Sequence, residues 1–277
     1  MADAPEELAG RRIAALVLAG GKSSPEMQAA SGGVPNRALV PLAGRPMLGY
    51  VVDAVRGGLD AVTSETARSR ILVATAAEDT VPDDCVHVPD GASLIDTLLS
   101  GVKALRPDET RLLVATADIP FLSAGAVADF VRQGEATGAA FVYPIVPAGL
   151  CAARFPAMRR TTLRVREGIF TGGNLALLDP AFLRQNETLL RAAYARRKSV
   201  SGLAKLLGAP ILLRLLAARL APGLLAVAHL EAAVSDALGG VSARAVISSF
   251  PEVGVDVDRP ADLAVAQAWA ESRGEGV

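Results

Sequence analysis

The segment Ile13-Ala14-Ala15-Leu16-Val17-Leu18-Ala19-Gly20-Gly21-Lys22 decides the fold. An unbroken apolar run with no polar residue at alternate positions describes a strand buried on both faces, the condition of a central strand in a parallel sheet. Its abrupt end in two glycines and a lysine opens a loop at the carboxyl end, where open α/β sheets bind ligands. Working outward, the pattern predicts a helix from Pro46 to Val55, a buried strand from Ile71 to Thr75 and a helix from Ala92 to Leu105. A strand over Leu112–Ala117, a helix over Ala124–Ala136 and a strand over Ala139–Val146 follow. Such alternation is the mark of a doubly wound α/β sheet. Beyond it, Thr161–Arg166 reads as a strand, Gly172-Gly173 as a turn, and Pro180 to about Leu238 as helix-rich. Val241–Ser248 and Val253–Val257 return to strand character, and Pro260–Glu271 closes the chain as a helix.

Composition excludes several classes. The 277 residues are 51% hydrophobic but only 4% aromatic, so the apolar content is aliphatic and sufficient for a large buried core. The net charge of -1 argues against nucleic acid as the partner, since phosphate neutralisation needs a basic face. Cys85 and Cys151 are too few for a disulfide scaffold, which fits a reducing cytoplasm. With His87 and His229 the only histidines, a three-histidine metal site is impossible, and neither stands beside a nucleophile-elbow serine. Met1–Gly10 is acidic and lacks the apolar core of a signal peptide.

Spacing tests the glycine loop. A Walker loop requires glycine where this chain has Leu16, so Gly21-Lys22-Ser23 is not one. A dinucleotide fingerprint requires alternate glycines and a third three residues on; the chain offers adjacent Gly20-Gly21 and then Ser24. What remains is Leu18-Ala19-Gly20-Gly21, followed by Asn36-Arg37-Ala38-Leu39-Val40-Pro41-Leu42-Ala43-Gly44-Arg45-Pro46-Met47-Leu48. This pairing resembles the MobA-like nucleotidyltransferases of the GT-A superfamily. The match is specific from Leu39 to Leu48, with Gly44 and Pro46 in place. Two departures stand out: Ser23–Gln28 contains no arginine, and Arg37 occupies the family's lysine position, keeping the charge with a planar geometry.

The resemblance implies a single nucleotidyltransferase domain over residues 1–277, with a doubly wound, mixed and mostly parallel sheet and a helical insertion at 180–240. It also implies site residues. Gly20, Gly21 and Lys22 would bind triphosphate, with backbone groups of Leu18, Ala19 and Gly20 at the base edge. Asp90, Gly91 and Ser93 fall in the segment that contacts base and ribose, although Ser93 also reads as a helix N-cap. Asp118, at the carboxyl end of a buried strand in Asp118-Ile119-Pro120, would hold metal; the alternative is a cap or turn residue. In Asp256-Val257-Asp258-Arg259-Pro260-Ala261-Asp262-Leu263, Asp258 falls at the second metal-ligand position, with Asp256 an alternate and Asp262 a first-turn helix residue. Asn174, in Thr171-Gly172-Gly173-Asn174, would face the acceptor or simply serve a turn.

The activity so implied is Mg²⁺-dependent transfer of a nucleoside monophosphate from an NTP to a phosphorylated small molecule, with release of pyrophosphate. Lys22, Arg37 and Asp118 would act at the reacting phosphates. The competing classes are a GT-A glycosyltransferase using a nucleotide-sugar and a non-catalytic nucleotide-binding module. Outside this core, Arg196-Arg197-Lys198 and the aliphatic run from Leu203 to Leu230 read as a buried helical hairpin whose basic stems reach solvent. A sharper reading has these helices cover the acceptor pocket or touch a lipid surface, so that the acceptor is apolar. Lys205, Pro210, Arg214, Arg219 and Pro222 interrupt the run, which denies it the roughly 18 residues of a membrane span.

Overall fold

The computed structural model describes residues 12–63, 68–196 and 221–274, together with 211, 213, 214, 217 and 218. Its elements follow in chain order: β1 (Arg12–Leu18), α1 (Pro25–Ala30), β2 (Pro41–Leu42), β3 (Arg45–Pro46), α2 (Met47–Asp60), β4 (Ile71–Thr75) and β5 (Val86–Pro89). Then come α3 (Leu94–Lys103), β6 (Glu109–Thr116), α4 (Ala124–Ala136), β7 (Phe141–Pro147), α5 (Ala148–Arg154), β8 (Leu163–Val165), β9 (Gly168–Gly172) and β10 (Leu175–Leu178). The last are α6 (Pro180–Gln185), α7 (Glu187–Arg196), α8 (Val227–Ala237), β11 (Ala243–Ile247) and α9 (Pro260–Ser272).

Among the described residues the main sheet has nine strands in the order β5-β4-β1-β6-β10-β7-β9-β8, with β11 on the other edge of β7. β1 pairs parallel with both β4 and β6, as its unbroken apolar run requires. β9 and β10 run against the rest. Alternate residues of β1 serve two cores. Ile13, Ala15 and Val17 pack with α2, α4 and α9, while Ala14 and Leu16 pack with α3, α6 and α7. The sheet is therefore wound on both faces, mixed and mostly parallel.

Local chemistry explains the boundaries. Ser93 and Ser123 accept the N–H groups of Asp96 and Ala126 and so start α3 and α4. Ala43 and Gly44, with φ of 47° and 83°, make the two-residue turn between β2 and β3, where only glycine takes such a φ freely. Pro46 then precedes α2, which gives the Leu39–Leu48 segment its structural meaning: a hairpin that feeds a helix. Both histidines are satisfied, His229 Nδ1 by the Ala226 N–H and His87 Nε2 beside the Thr75 carbonyl.

Two expectations are corrected. Val253–Val257 does not form a strand: Pro251–Gly254 is a short 3-10 turn, and the extended residues after it find no ladder. The Val257 N–H instead donates to the Asp118 carbonyl at 2.8 Å, and the Val253 carbonyl accepts from the Asn174 N–H at 2.9 Å. Gly172-Gly173 is not a simple turn either, because it joins β9 to β10 and both pair with β7. Arg197, Lys198 and much of 199–220 lie outside the described residues, so the hairpin expected there does too. No helix among the described residues is long and apolar enough to cross a membrane.

Helices α2 and α4 meet at Gly58, where a Cβ would overlap Val127 and approach the Ala124 carbonyl oxygen to 2.8 Å. Gly58→Ala should therefore destabilise the fold by about 1–3 kcal/mol in chemical denaturation, overpacking outweighing the helix-propensity gain. An unchanged midpoint would contradict this packing.

Candidate active site

The carboxyl ends of β1, β4 and β6 converge on one edge of the sheet, and the candidate residues gather there. The Gly20–Lys22 loop runs beside Asn36-Arg37: the Arg37 N–H donates to the Gly21 carbonyl at 2.8 Å, and the Ser23 N–H to the Pro35 carbonyl at 2.8 Å. Asn36 anchors the second strand of this arrangement by donating to Thr75 Oγ1 (3.1 Å) and to Asp79 (2.6 Å). The N–H groups of Gly20, Gly21 and Lys22 meet no backbone acceptor among the described residues, and Lys22 is exposed without a carboxylate partner there. The chain thus presents open donors and a cation at the end of β1.

Asp118 lies two residues past β6. Val255 and Val257 are fully buried, so the extended backbone turns Asp256 and Asp258 the other way. The hydrogen bond from Val257 to the Asp118 carbonyl fixes the two segments together. As a result oxygens of Asp118, Asp256 and Asp258 lie within 4.8 Å of one another. Arg37 Nη1 bonds Asp258 and lies 3.2 Å from Asp118. Arg160 bonds the Asp256 carboxylate through one nitrogen and the Asp256 carbonyl through the other at 2.7 Å. Asp118 Oδ1 is buried without a partner.

An orphaned buried carboxylate oxygen and three convergent carboxylates form an all-oxygen donor set, suited to a hard divalent cation such as Mg²⁺. The buried Asp118 oxygen otherwise carries an unmet desolvation cost. The residues present therefore fit the metal that the resemblance implies.

The remaining candidates divide. Asp90 packs against the loop, its Oδ2 lying 2.8 Å from where a Gly20 Cβ would stand, so Gly20 permits that close approach. Gly91 donates its N–H to Thr97, and a Cβ there would collide with Asp96. Ser93 is engaged in capping, accepting from the Asp96 N–H and donating to its carboxylate at 2.6 Å. Asn174 lines a 530 Å³ cleft together with Arg160, Thr161, Thr162, Asp256 and Asp258, and its side chain donates to the Val253 carbonyl at 3.2 Å. Asp262 is buried and bound to Arg259 through its N–H and guanidinium, a helix-start role.

Arg160 is the residue that sequence reading misses. It precedes a short irregular strand, and only the doubled Arg159-Arg160 marked the place. Burial lowers its pKa, but a guanidinium stays charged. Thiol chemistry is disfavoured: burial and the neighbouring Asp84 push Cys85 up to about 11, and burial raises Cys151 despite nearby Arg160.

A family model described as the MobA-like NTP transferase domain matches residues 15–249. The chain belongs to this family. It is similar to a hypothetical transferase from Thermus thermophilus, with 41% identity, a TM-score of 0.76, and coverage of 91% of this chain and 99% of that one. The fold is shared with 2-C-methyl-D-erythritol 4-phosphate cytidylyltransferase, also from Thermus thermophilus (18% identity, TM-score 0.54, 94% and 99% coverage). It is shared also with a CMP:2-keto-3-deoxy-manno-octonic acid synthetase complexed with CTP (13% identity, TM-score 0.58, 95% and 99% coverage). No curated protein sequence gives a significant match. The mixed sheet of this MobA-like domain is thus that of the nucleotidyltransferases, and its acidic cluster stands at the sheet's carboxyl edge.

Arg37 offsets repulsion within the cluster. Arg37→Met should lower stability in metal-free buffer by about 1 kcal/mol, the modest figure reflecting partial exposure. Adding Asp258→Asn should recover most of that loss, because a like charge is removed as well. A denaturation midpoint unmoved by Arg37→Met would contradict the bridging role.

Proposed function

We propose that this chain is a Mg²⁺-dependent nucleotidyltransferase that moves a nucleoside monophosphate from an NTP to a phosphorylated small-molecule acceptor. The observation that carries the reading is the Asp118, Asp256 and Asp258 cluster, joined through Arg37 to the Gly20–Lys22 loop.

An acceptor oxygen forms a bond to the α-phosphorus, the bond from that phosphorus to the bridging oxygen breaks, and pyrophosphate leaves. Gly20 and Gly21 offer backbone donors to the triphosphate, and Lys22 supplies a mobile cation to the leaving group. Arg37 holds positive charge at the reacting phosphorus. Asp90 and Gly91 flank the loop where base and ribose would rest. Asp118 and Asp258 are the proposed metal ligands, with Asp256 beside them held by Arg160. Magnesium, when bound, supplies charge neutralisation for the phosphates. An acceptor phosphate is already ionised at neutral pH, so no general base is needed and the chain's work is positioning and electrostatics. Asn174 and the cleft around it would receive that acceptor.

Thermal-shift titration with the four NTPs and with nucleotide-sugars, each with and without Mg²⁺, tests the reading. An NTP at about 100 times its Kd should stabilise the protein by about 2.7 kcal/mol only when metal is present. Stabilisation by nucleotide-sugars alone, or by metal-independent mononucleotide, would contradict it. Asp118→Ala should abolish pyrophosphate release while the far-UV circular dichroism stays native; undiminished turnover would reject the metal assignment.

A further inference from the structure

The cleft beside Asp256 and Asp258 does not end at its polar wall. It borders a second, mainly apolar cavity of 440 Å³ whose described lining also includes Glu231 and Arg244, and the two share Tyr143, Leu163, Phe170, Thr171 and Gly172 as lining. Alternation along β7 makes this cavity. Val142 and Val146 point into the main core, so Phe141, Tyr143 and Ile145 must face the opposite side, toward α8. There Leu230 and Val234 of α8 stand across the cavity, while Ala233 is the residue of this helix that buries fully enough to join the local core. The described residues leave the ring faces and aliphatic side chains of β7 only half-buried.

The junction is specifically shaped. Tyr143 donates its hydroxyl to the Gly173 carbonyl at 2.6 Å, so its polar end is tied down at the cleft while its ring lines the apolar side. A Cβ at Gly172 would come 2.7 Å from that hydroxyl, and one at Gly173 would come 2.7 Å from the Pro144 ring. At the polar end, Arg160 Nε is buried without a partner, and Thr161, Thr162 and Asn174 are at hand.

We infer that the acceptor is an amphiphilic phosphomonoester, a soluble alkyl or aryl phosphate whose phosphate occupies the Arg160–Asn174 cleft and whose apolar group fills the cavity between β7 and α8. The inference rests on the proposed transferase reading and names its acceptor class. The five residues common to both linings are what selects this occupant: a ligand held at the polar cleft lies against side chains that also line the apolar chamber. The volume lies within the range of small-molecule sites, which are mainly apolar with a few placed polar groups.

The test is calorimetric titration of the full chain with methyl, butyl and hexyl phosphate, beside the NTP and Mg²⁺ thermal shift. Affinity should rise about fourfold per methylene until the cavity is full, the factor expected for complete burial. Leu230→Lys and, from the sheet side, Ala245→Leu should each flatten that series while leaving the NTP and Mg²⁺ stabilisation intact, which shows that both variants fold. A flat series in the wild type with intact NTP binding overturns the acceptor class alone. Absence of NTP and Mg²⁺ stabilisation, with the chain-length response preserved, overturns the transferase reading and leaves the cavity assignment standing. A flat series accompanied by dimerisation that Leu230→Lys abolishes overturns the inference in favour of a contact between copies. Sedimentation with phosphatidic acid vesicles but no response to the short phosphates overturns it in favour of a lipid surface.

Discussion

The hydrogen bond from the Val257 N–H to the Asp118 carbonyl ties together the two segments on which the rest of the site depends. It joins the end of a buried parallel strand to a segment more than a hundred residues later that has no ladder of its own. Together with the Arg37 bridge and the Asn174 bonds to Val253, it brings Asp118 to Asp256 and Asp258, which local sequence alone would not do. Carboxylates at such distances repel, so the arrangement persists because two guanidinium groups and a rigid sheet edge hold it. Carboxylates held together in advance are what the proposed cation site would use.

The same economy runs through the loop. Gly20 is small enough for Asp90 to approach, Gly21 lies against Arg37, and the Asn36 side chain ties the segment to Thr75 at the end of β4. Asp90 and Thr75 stand at the ends of β5 and β4 and Arg37 opens a 3-10 turn, so the loop is positioned by its surroundings rather than by its own sequence. This explains how a loop lacking the family's arginine can still carry positive charge at the correct edge: Lys22 and Arg37 stand on two neighbouring segments locked by backbone hydrogen bonds. The near-neutral chain conceals a local balance of two arginines against three aspartates, with Lys22 left over for an anion.

Much of this was legible in the sequence because it is local. β1 declared itself by an unbroken apolar run, Ser93 by its capping position, and Leu39–Leu48 by the glycine and proline that a hairpin and helix start require. Asp118, Asp258 and the alternate Asp256 are marked by the motifs around them, and the structure brings them together with Arg37. What escaped was non-local. Nothing near Arg160 announces that it pairs with Asp256 across 96 residues. The strand expected at Val253–Val257 failed because apolar alternation records burial, not hydrogen-bond partners, and here the partners are strand ends. Likewise β10 was hidden because Leu175–Leu178 is a short apolar run entering the sheet antiparallel between β6 and β7, beside a glycine pair that reads as a turn. Its insertion there is what carries Asn174 to the cleft.

On the proposed reading, Asp118 and Asp258 hold a divalent cation against a triphosphate lying on the Gly20–Lys22 loop. Anomalous diffraction from crystals grown with Mn²⁺ and a non-hydrolysable NTP analogue measures this directly. A single strong manganese peak bonded to carboxylate oxygens of Asp118 and Asp258 and to phosphate oxygens is expected, with the triphosphate along residues 20–22. Manganese bound elsewhere, or an analogue seated at that loop with no metal between it and Asp118, would contradict it.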